Sequence, residues 1–191
     1  PFLIDNNFSH PGFNLRIYAL REVVASMKNH LFNNHTWPDF TSLPNDMTPV
    51  LKLIAVEPEQ PFTINGLTIT AIPVSHIVPT AGFIVEDKKT AVAFSSDTGP
   101  TQRFWEVVNR VKKLKAVITE TSFPNALQDL AHVSGHLTPA TLEPELRKLK
   151  RDVPVYLYGA KPKHLRATPD EVQPLKRKNL PFRVQGKTYK F

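Results

Sequence analysis

Three apolar runs in succession, each ending in an ionisable side chain, constrain this chain more than any other feature. Thr68–Val74 runs into Ser75-His76, Ala91–Phe94 into Ser95-Ser96-Asp97, and Lys115–Ile118 into Thr119-Glu120-Thr121. Short runs rich in β-branched and aliphatic residues read as strands. One such ending carries little weight. An Asp before Thr-Gly is ordinarily a turn former, and a His after a strand is ordinarily a surface residue. Repetition on successive strands weighs more, because open α/β sheets bind ligands beyond the carboxyl ends of their strands.

The rest of the chain fits around those runs. Leu20, Val23, Val24, Met27 and Leu31 recur at helical spacing and predict a helix over residues 19–33. The prolines of residues 34–49 predict an irregular loop. Further strands are expected at 50–56, 67–72 and 81–85, with Asn65-Gly66 as a hairpin turn. Helices are expected near 101–113 and 139–150, the second capped by Thr138 with Pro139 at its first position. A strand at 154–158, a helix opened by a Thr168-Pro169-Asp170-Glu171 capping box, and short strands near 182–184 and 188–190 complete the reading. Strands first and β/α alternation later predict an α/β fold, a sheet covered by helices, in a single domain over 1–191.

Composition narrows the chemistry. With no cysteine, disulfides and thiolate ligands are excluded, so a metal would have to be held by His, Asp, Glu or water. Cytosol and periplasm are not separated by that absence; the cytoplasm is slightly favoured. No apolar run approaches the ~20 residues of a membrane span, and Pro1-Phe2-Leu3-Ile4 is too short for a signal peptide. Pro1 is not an initiator residue, so the expected reading is of a chain whose mature start was cut, processed or left out. A net charge of +7 favours an anionic partner such as a phosphate ester. Basic residues cluster at 112–115, 147–151, 161–166 and 176–178. A nucleic-acid surface would need them on one face with aromatics for stacking; solvated helix faces and loops are the simpler reading. A further constellation, Ser134-Gly135-His136-Leu137-Thr138-Pro139, puts a His in a glycine-containing loop just before a helix N-terminus. Such a His can meet a phosphate and deliver a proton, or simply face solvent.

Several segments together resemble a known family. Pro73-Val74-Ser75-His76-Ile77-Val78-Pro79-Thr80-Ala81-Gly82-Phe83 resembles the third metal motif of class-II cyclic-nucleotide phosphodiesterases, within the metallo-β-lactamase-fold hydrolases. Phe94-Ser95-Ser96-Asp97-Thr98-Gly99-Pro100-Thr101 resembles their Ser-Gly-Asp-Thr-Gly-Pro-Thr segment. Glu120-Thr121-Ser122-Phe123-Pro124-Asn125, continuing to Ser134–Pro139, resembles the next landmark. Lys28–Asn34 and Trp37-Pro38 fit the same pattern, so the resemblance covers most of residues 16–162.

The resemblance implies a four-layer αββα sandwich, a two-metal centre that is usually zinc, and hydrolysis of cyclic AMP or cyclic GMP to the 5′-nucleotide. By resemblance His76 is a terminal metal ligand and Asp97 the bridging carboxylate. His136 would stabilise charge at the phosphate or protonate the leaving 3′-oxygen, and Glu120 would orient that imidazole. Two main departures accompany it, beside a smaller one: Ser96 stands where the family has Gly, which restricts the backbone next to Asp97. The family's His-x-His-x-Asp-His motif is absent, so the chain is expected to be the C-terminal two-thirds of the fold. Val155–Pro162 aligns with the segment holding the last ligand, but Gly159 stands at the His position, with His164 five residues on. A non-catalytic paralogue or fragment is one alternative. Another is a transfer-RNA 3′-processing nuclease, which would be expected to carry an RNA-binding arm between His76 and Asp97, where only twenty residues lie. A small cyclic nucleotide is the implied partner, nucleic acid and membrane are not favoured, and a homodimer is left open.

Overall fold

Leu15-Arg16-Ile17-Tyr18-Ala19-Leu20 extends as strand β1, in parallel register with β2 (Leu51–Val56) from Leu15 opposite Leu51 to Leu20 opposite Val56. This corrects the helix expected over 19–33. Val23, Val24, Met27 and Leu31 do lie on helical turns, in α2 (Arg21–Ser26) and the π-turn Met27–Leu31 that continues it. Ala19 and Leu20 are instead drawn into the ladder with β2, where both are buried. A six-residue strand pairing satisfies more backbone groups than two extra helical residues would. A single turn, α1 (Phe2–Asp5), precedes β1, and Ile4, Phe32, Phe40, Val50 and Leu51 form the local core. Residues 38–50 form no regular element, as the prolines require.

The computed structural model describes residues 1–175, 180–182 and 186–191. Packing divides the chain into two compact units, Pro1–Glu57 and Pro58–Phe191. The second is built on a six-stranded sheet in sequential order: β3 (Phe62–Ile64), β4 (Leu67–Pro73), β5 (Ala81–Glu86), β6 (Ala91–Phe94), β7 (Leu114–Glu120) and β8 (Val155–Tyr158). Asn65 and Gly66, both at positive φ (50° and 80°), turn the β3–β4 hairpin as an Asn-Gly pair should. Strands β3 to β6 are antiparallel; β6, β7 and β8 are parallel. It follows that β4, β6, β7 and β8 all run the same way, and their carboxyl ends share one edge of the sheet.

Helices cover this sheet. Helix α3 (Arg103–Arg110) buries Phe104, Trp105 and Val108, and α5 (Pro139–Lys148) buries Leu142 and Leu146, beside Ile72, Ile84 and Leu157 of the strands. Each such side chain contributes about 1.5–3 kcal/mol on burial. Thr138 caps α5 as expected: its hydroxyl accepts from Thr141 N, the Thr141 hydroxyl accepts from Thr138 N, and Pro139 opens the helix. Glu145 of α5 is a buried carboxylate with full use. It accepts from Thr101 N (3.0 Å) and Trp105 Nε1 (2.8 Å) and pairs with Lys148 Nζ (2.5 Å), which ties α5 to the start of α3.

The C-terminal expectations need correction. Helix α6 spans Ala167–Val172, with Arg166 rather than Thr168 at its cap position. Thr168 is fully buried inside the helix with its hydroxyl unpaired among the described residues, and Glu171 accepts from Asn125 N (2.7 Å) instead of closing a capping box. A buried site claimed the threonine, and a neighbouring loop claimed the glutamate. Phe182 forms a single parallel bridge to Leu157, while residues 183–184 of that expected strand lie outside the described residues. Residues 188–190 form no strand. A helix the sequence reading did not anticipate, α4 (Gln128–Val133), leads into the Gly135-His136 loop. Among the described residues no helix is long and apolar enough to cross a membrane.

Candidate metal centre at the strand ends

The shared carboxyl edge gathers the predicted residues. His76 follows β4, Asp97 follows β6, Glu120 ends β7, and Gly159 follows β8. His136 arrives from the loop between α4 and α5. One ligand atom each from His76, Asp97 and His136 lie within 4.8 Å of one another. Two imidazoles and a carboxylate form a nitrogen–oxygen donor set suited to a divalent transition metal.

Both imidazoles are held from behind. His76 Nδ1 lies 2.9 Å from the Gly135 carbonyl oxygen, which accepts its proton and leaves Nε2 free to ligate. His136 Nδ1 lies 2.6 Å from Glu120 Oε1, which also accepts from Thr98 N at 3.1 Å. Glu120 is wholly buried, and its Oε2 has no hydrogen-bond partner among the described residues. The Thr98 N–H therefore fixes the carboxylate that fixes His136. The two rings meet edge-on, centroids 5.1 Å apart, and the Phe123 ring abuts His136 at 5.7 Å. The loop carrying Asp97 is in turn clamped to the loop carrying His76, Gly99 N donating to Ser75 O at 2.7 Å.

Two residues whose part sequence spacing does not show, Gly135 and Tyr158, belong to this cluster, along with Ser96, the expected departure beside Asp97. Gly135 was read only as loop glycine, yet its carbonyl orients His76 and its φ of 69° suits glycine. Ser96, at φ 58°, adopts the left-handed conformation a glycine would take freely beside Asp97. Tyr158 stacks on Phe94 and buries its hydroxyl near the site, close to Ser95 but with no hydrogen bond of normal geometry among the described residues. Burial, then the charges of Asp97 and Glu120, push its phenol pKa far up, only weakly opposed by Ser95, so it remains a neutral hydrogen-bond donor. Proximity to charge, which no spacing rule exposes, is what marks it. His164 sits in a short 3₁₀ turn and is not in the cluster among the described residues. Gly159, at φ 90°, faces Ser122 Oγ and Glu120 Cβ.

Residues 13–160 match the family of class-II cAMP phosphodiesterases. The chain belongs to that family. A probable 3′,5′-cyclic-nucleotide phosphodiesterase of Yersinia pestis is 28% identical over 151 residues, 71% of this chain and 43% of the relative. This chain thus spans less than half of that curated relative. Among solved structures, unliganded yeast PDE1 superposes with a TM-score of 0.78 at 20% identity, over 95% of this chain and 62% of the other. The metallo-β-lactamase fold protein YhfI of Bacillus subtilis gives 0.68 at 16% identity, over 98% and 70%. This class-II phosphodiesterase chain accordingly has the metallo-β-lactamase fold.

Proposed function

We propose that this chain contributes the His76–Asp97–His136 cluster of a zinc-dependent hydrolase that opens 3′,5′-cyclic nucleotides to 5′-nucleotides. The observation that carries the reading is the convergence of those three donors, with Nδ1 of each imidazole already hydrogen-bonded. The nitrogen and oxygen donors suit zinc, and two of them make up part of a four-coordinate shell. In this reading His76 and Asp97 hold it, and Asp97, with two oxygens, can also serve a second ion. A second four-coordinate ion needs ligands beyond this set.

When bound, zinc supplies Lewis-acid polarisation of the phosphoryl group. The protein's own part is proton management. Hydrolysis joins a water oxygen to phosphorus and breaks the bond from phosphorus to the 3′-oxygen, which must gain a proton. With Nδ1 held by buried Glu120, His136 has Nε2 left to deliver it, and Glu120 steadies the cationic ring that precedes delivery. The twenty residues between His76 and Asp97 form β5, β6 and their tight connections, which leaves no arm there for a folded RNA.

The test is release of 5′-AMP from cyclic AMP by the full-length, zinc-loaded protein, beside its Asp97→Ala and His136→Gln variants. Release lost in Asp97→Ala together with zinc, and lost in His136→Gln without loss of zinc, is the expected outcome. Loss of zinc in His136→Gln would make His136 a ligand instead. Turnover of RNA with none of cyclic nucleotides would place the chain with the RNA-processing enzymes, and zinc binding without any turnover would identify a non-catalytic paralogue.

A further inference from the structure

We infer that the sheet edge opposite the metal cluster carries a second site, one that binds a small polyanion of linked phosphates. Two basic segments separated in sequence, 112–115 and 150–151, meet there. They line one hollow of about 600 Å³, to which, among the described residues, Lys112, Lys113, Lys115, Lys150 and Arg151 contribute cations and Asp152 the one carboxylate. The hollow sits where β7 begins and just before β8, at the amino ends of strands whose carboxyl ends carry Glu120 and Gly159. A seven-residue strand at about 3.3 Å per residue puts roughly 20 Å between the two sites. The inference stands whether or not the proposed activity is correct.

The lining decides the ligand class. Lys113 is already engaged, by Glu86 at 3.8 Å and by the Asp87 carbonyl. None of the ion pairs among the described residues involves Lys112, Lys115 or Lys150. The Arg151 guanidinium donates to the Lys112 carbonyl at 2.9 Å, which anchors one wall to the other. Cations gathered around one hollow act on an anion together, more than the same charges spread over a convex face. The hollow has the volume of a small-molecule site. Among the described residues no aromatic lines it, so they offer none of the stacking platforms that single-stranded nucleic acid uses. Several unneutralised cations and no stacking surface fit a short chain of phosphoryl groups better than a lone phosphate.

The experiment is calorimetric titration of metal-free protein with inorganic triphosphate at about 50 mM salt, where surface charges are poorly screened. The expected result is saturable binding of one equivalent, weakened roughly tenfold or more in Lys112→Glu/Lys150→Glu, unchanged in His76→Ala, and much weaker for orthophosphate. Amide shifts of the wild-type protein, confined to 112–115 and 150–154, give the same answer without relying on the folding of a variant. Absence of saturable binding, loss of binding in His76→Ala but not in the charge-reversed variant, or equal affinity for orthophosphate would overturn the inference. So would charge-dependent binding of single-stranded RNA or anionic phosphatidylserine vesicles with none of triphosphate.

Discussion

His76 Nδ1 donates to the carbonyl of Gly135, a residue 59 positions later in the chain, across 2.9 Å. The same glycine packs so closely on that histidine that a Cβ at 135 would lie 2.8 Å from Nδ1, 3.1 Å from Ile77 N and 3.2 Å from His76 Cα. Its φ of 69° adds strain for any other residue. Gly135→Ala should therefore turn the His76 ring away from Asp97 while leaving the sheet in place. Partners that orient a metal-bound imidazole are typically worth about 10–100-fold in metal affinity. We expect a zinc affinity lower by about that factor with far-ultraviolet circular dichroism unchanged. Wild-type zinc binding in Gly135→Ala would remove the glycine from the site.

Glu120 supports two buried donors, the His136 ring and Thr98 N. Glu120→Ala orphans both. At about 1–3 kcal/mol for each unsatisfied buried group, the two together should cost about 2–6 kcal/mol. Glu120→Gln keeps an acceptor oxygen of the same reach, and its amide takes the place of Oε2, which has no partner to lose. The glutamine variant should unfold in urea much nearer the wild type than the alanine variant does. Equal midpoints for the two would mean that the carboxylate's hydrogen bonds do not hold this loop.

A third expectation concerns acid. Arg103 grips Glu59 through two hydrogen bonds, at 2.7 and 2.6 Å, and Glu106 through one at 3.0 Å. Hydrogen bonding to Arg103 is the chief reason that both carboxyls titrate below the ordinary 4.5. A carboxyl whose folded pKa is depressed adds stability above its unfolded pKa, and that stability is lost as pH falls through the folded value. The stability difference between wild type and Arg103→Met should thus be fully present at neutral pH and shrink below about 4.5. All three side chains are largely exposed, so added salt should shrink it as well. Urea midpoints from pH 7 to pH 3 measure it, and a difference that grows in acid would contradict the assignment.

The sheet and its active edge were legible because they rest on local rules. β4, β6 and β7 were read from runs of aliphatic residues, the Asn65-Gly66 turn from its dipeptide, and the α5 cap from Thr138-Pro139. The ends of three strands carrying His76, Asp97 and Glu120 then implied a common edge, which the antiparallel β5 between β4 and β6 restores to one direction. What escaped depended on partners distant in sequence. β1 exists because β2 pairs with it, and Leu15–Leu20 alone carries as much helical as extended character. Thr168 looked like a cap until a buried position took its side chain. Gly135 acts through a carbonyl, which every residue has, and Tyr158 acts through its nearness to Asp97 and Glu120. The meeting of residues 112–115 with 150–151 at one hollow likewise has no trace in either segment alone.

By the resemblance Gly159 stands at the family's last ligand position, and its geometry bears on whether a histidine could be restored there. At φ 90° the residue lies where L side chains are strained, at a cost of roughly 1–2 kcal/mol. A Cβ would sit 3.2 Å from Ser122 Oγ and 3.7 Å from Glu120 Cβ, so a side chain has to press on the segment that positions His136. Gly159→Ala measures that backbone and contact cost alone, and we expect a loss of about 1–2 kcal/mol in urea unfolding. Gly159→His carries the same cost but adds a donor beside the cluster. If that imidazole reaches a bound ion, zinc should recover the lost stability, because a ligand that binds only the folded state stabilises it in proportion to its affinity. The expected signature is a zinc-dependent rise in the unfolding midpoint that is larger in Gly159→His than in wild type or Gly159→Ala. His164→Ala should leave all three midpoints unmoved. A zinc response equal in Gly159→His and Gly159→Ala would show that the turn after β8 points a side chain away from the metal, and that position 159 does not correspond to the family's ligand.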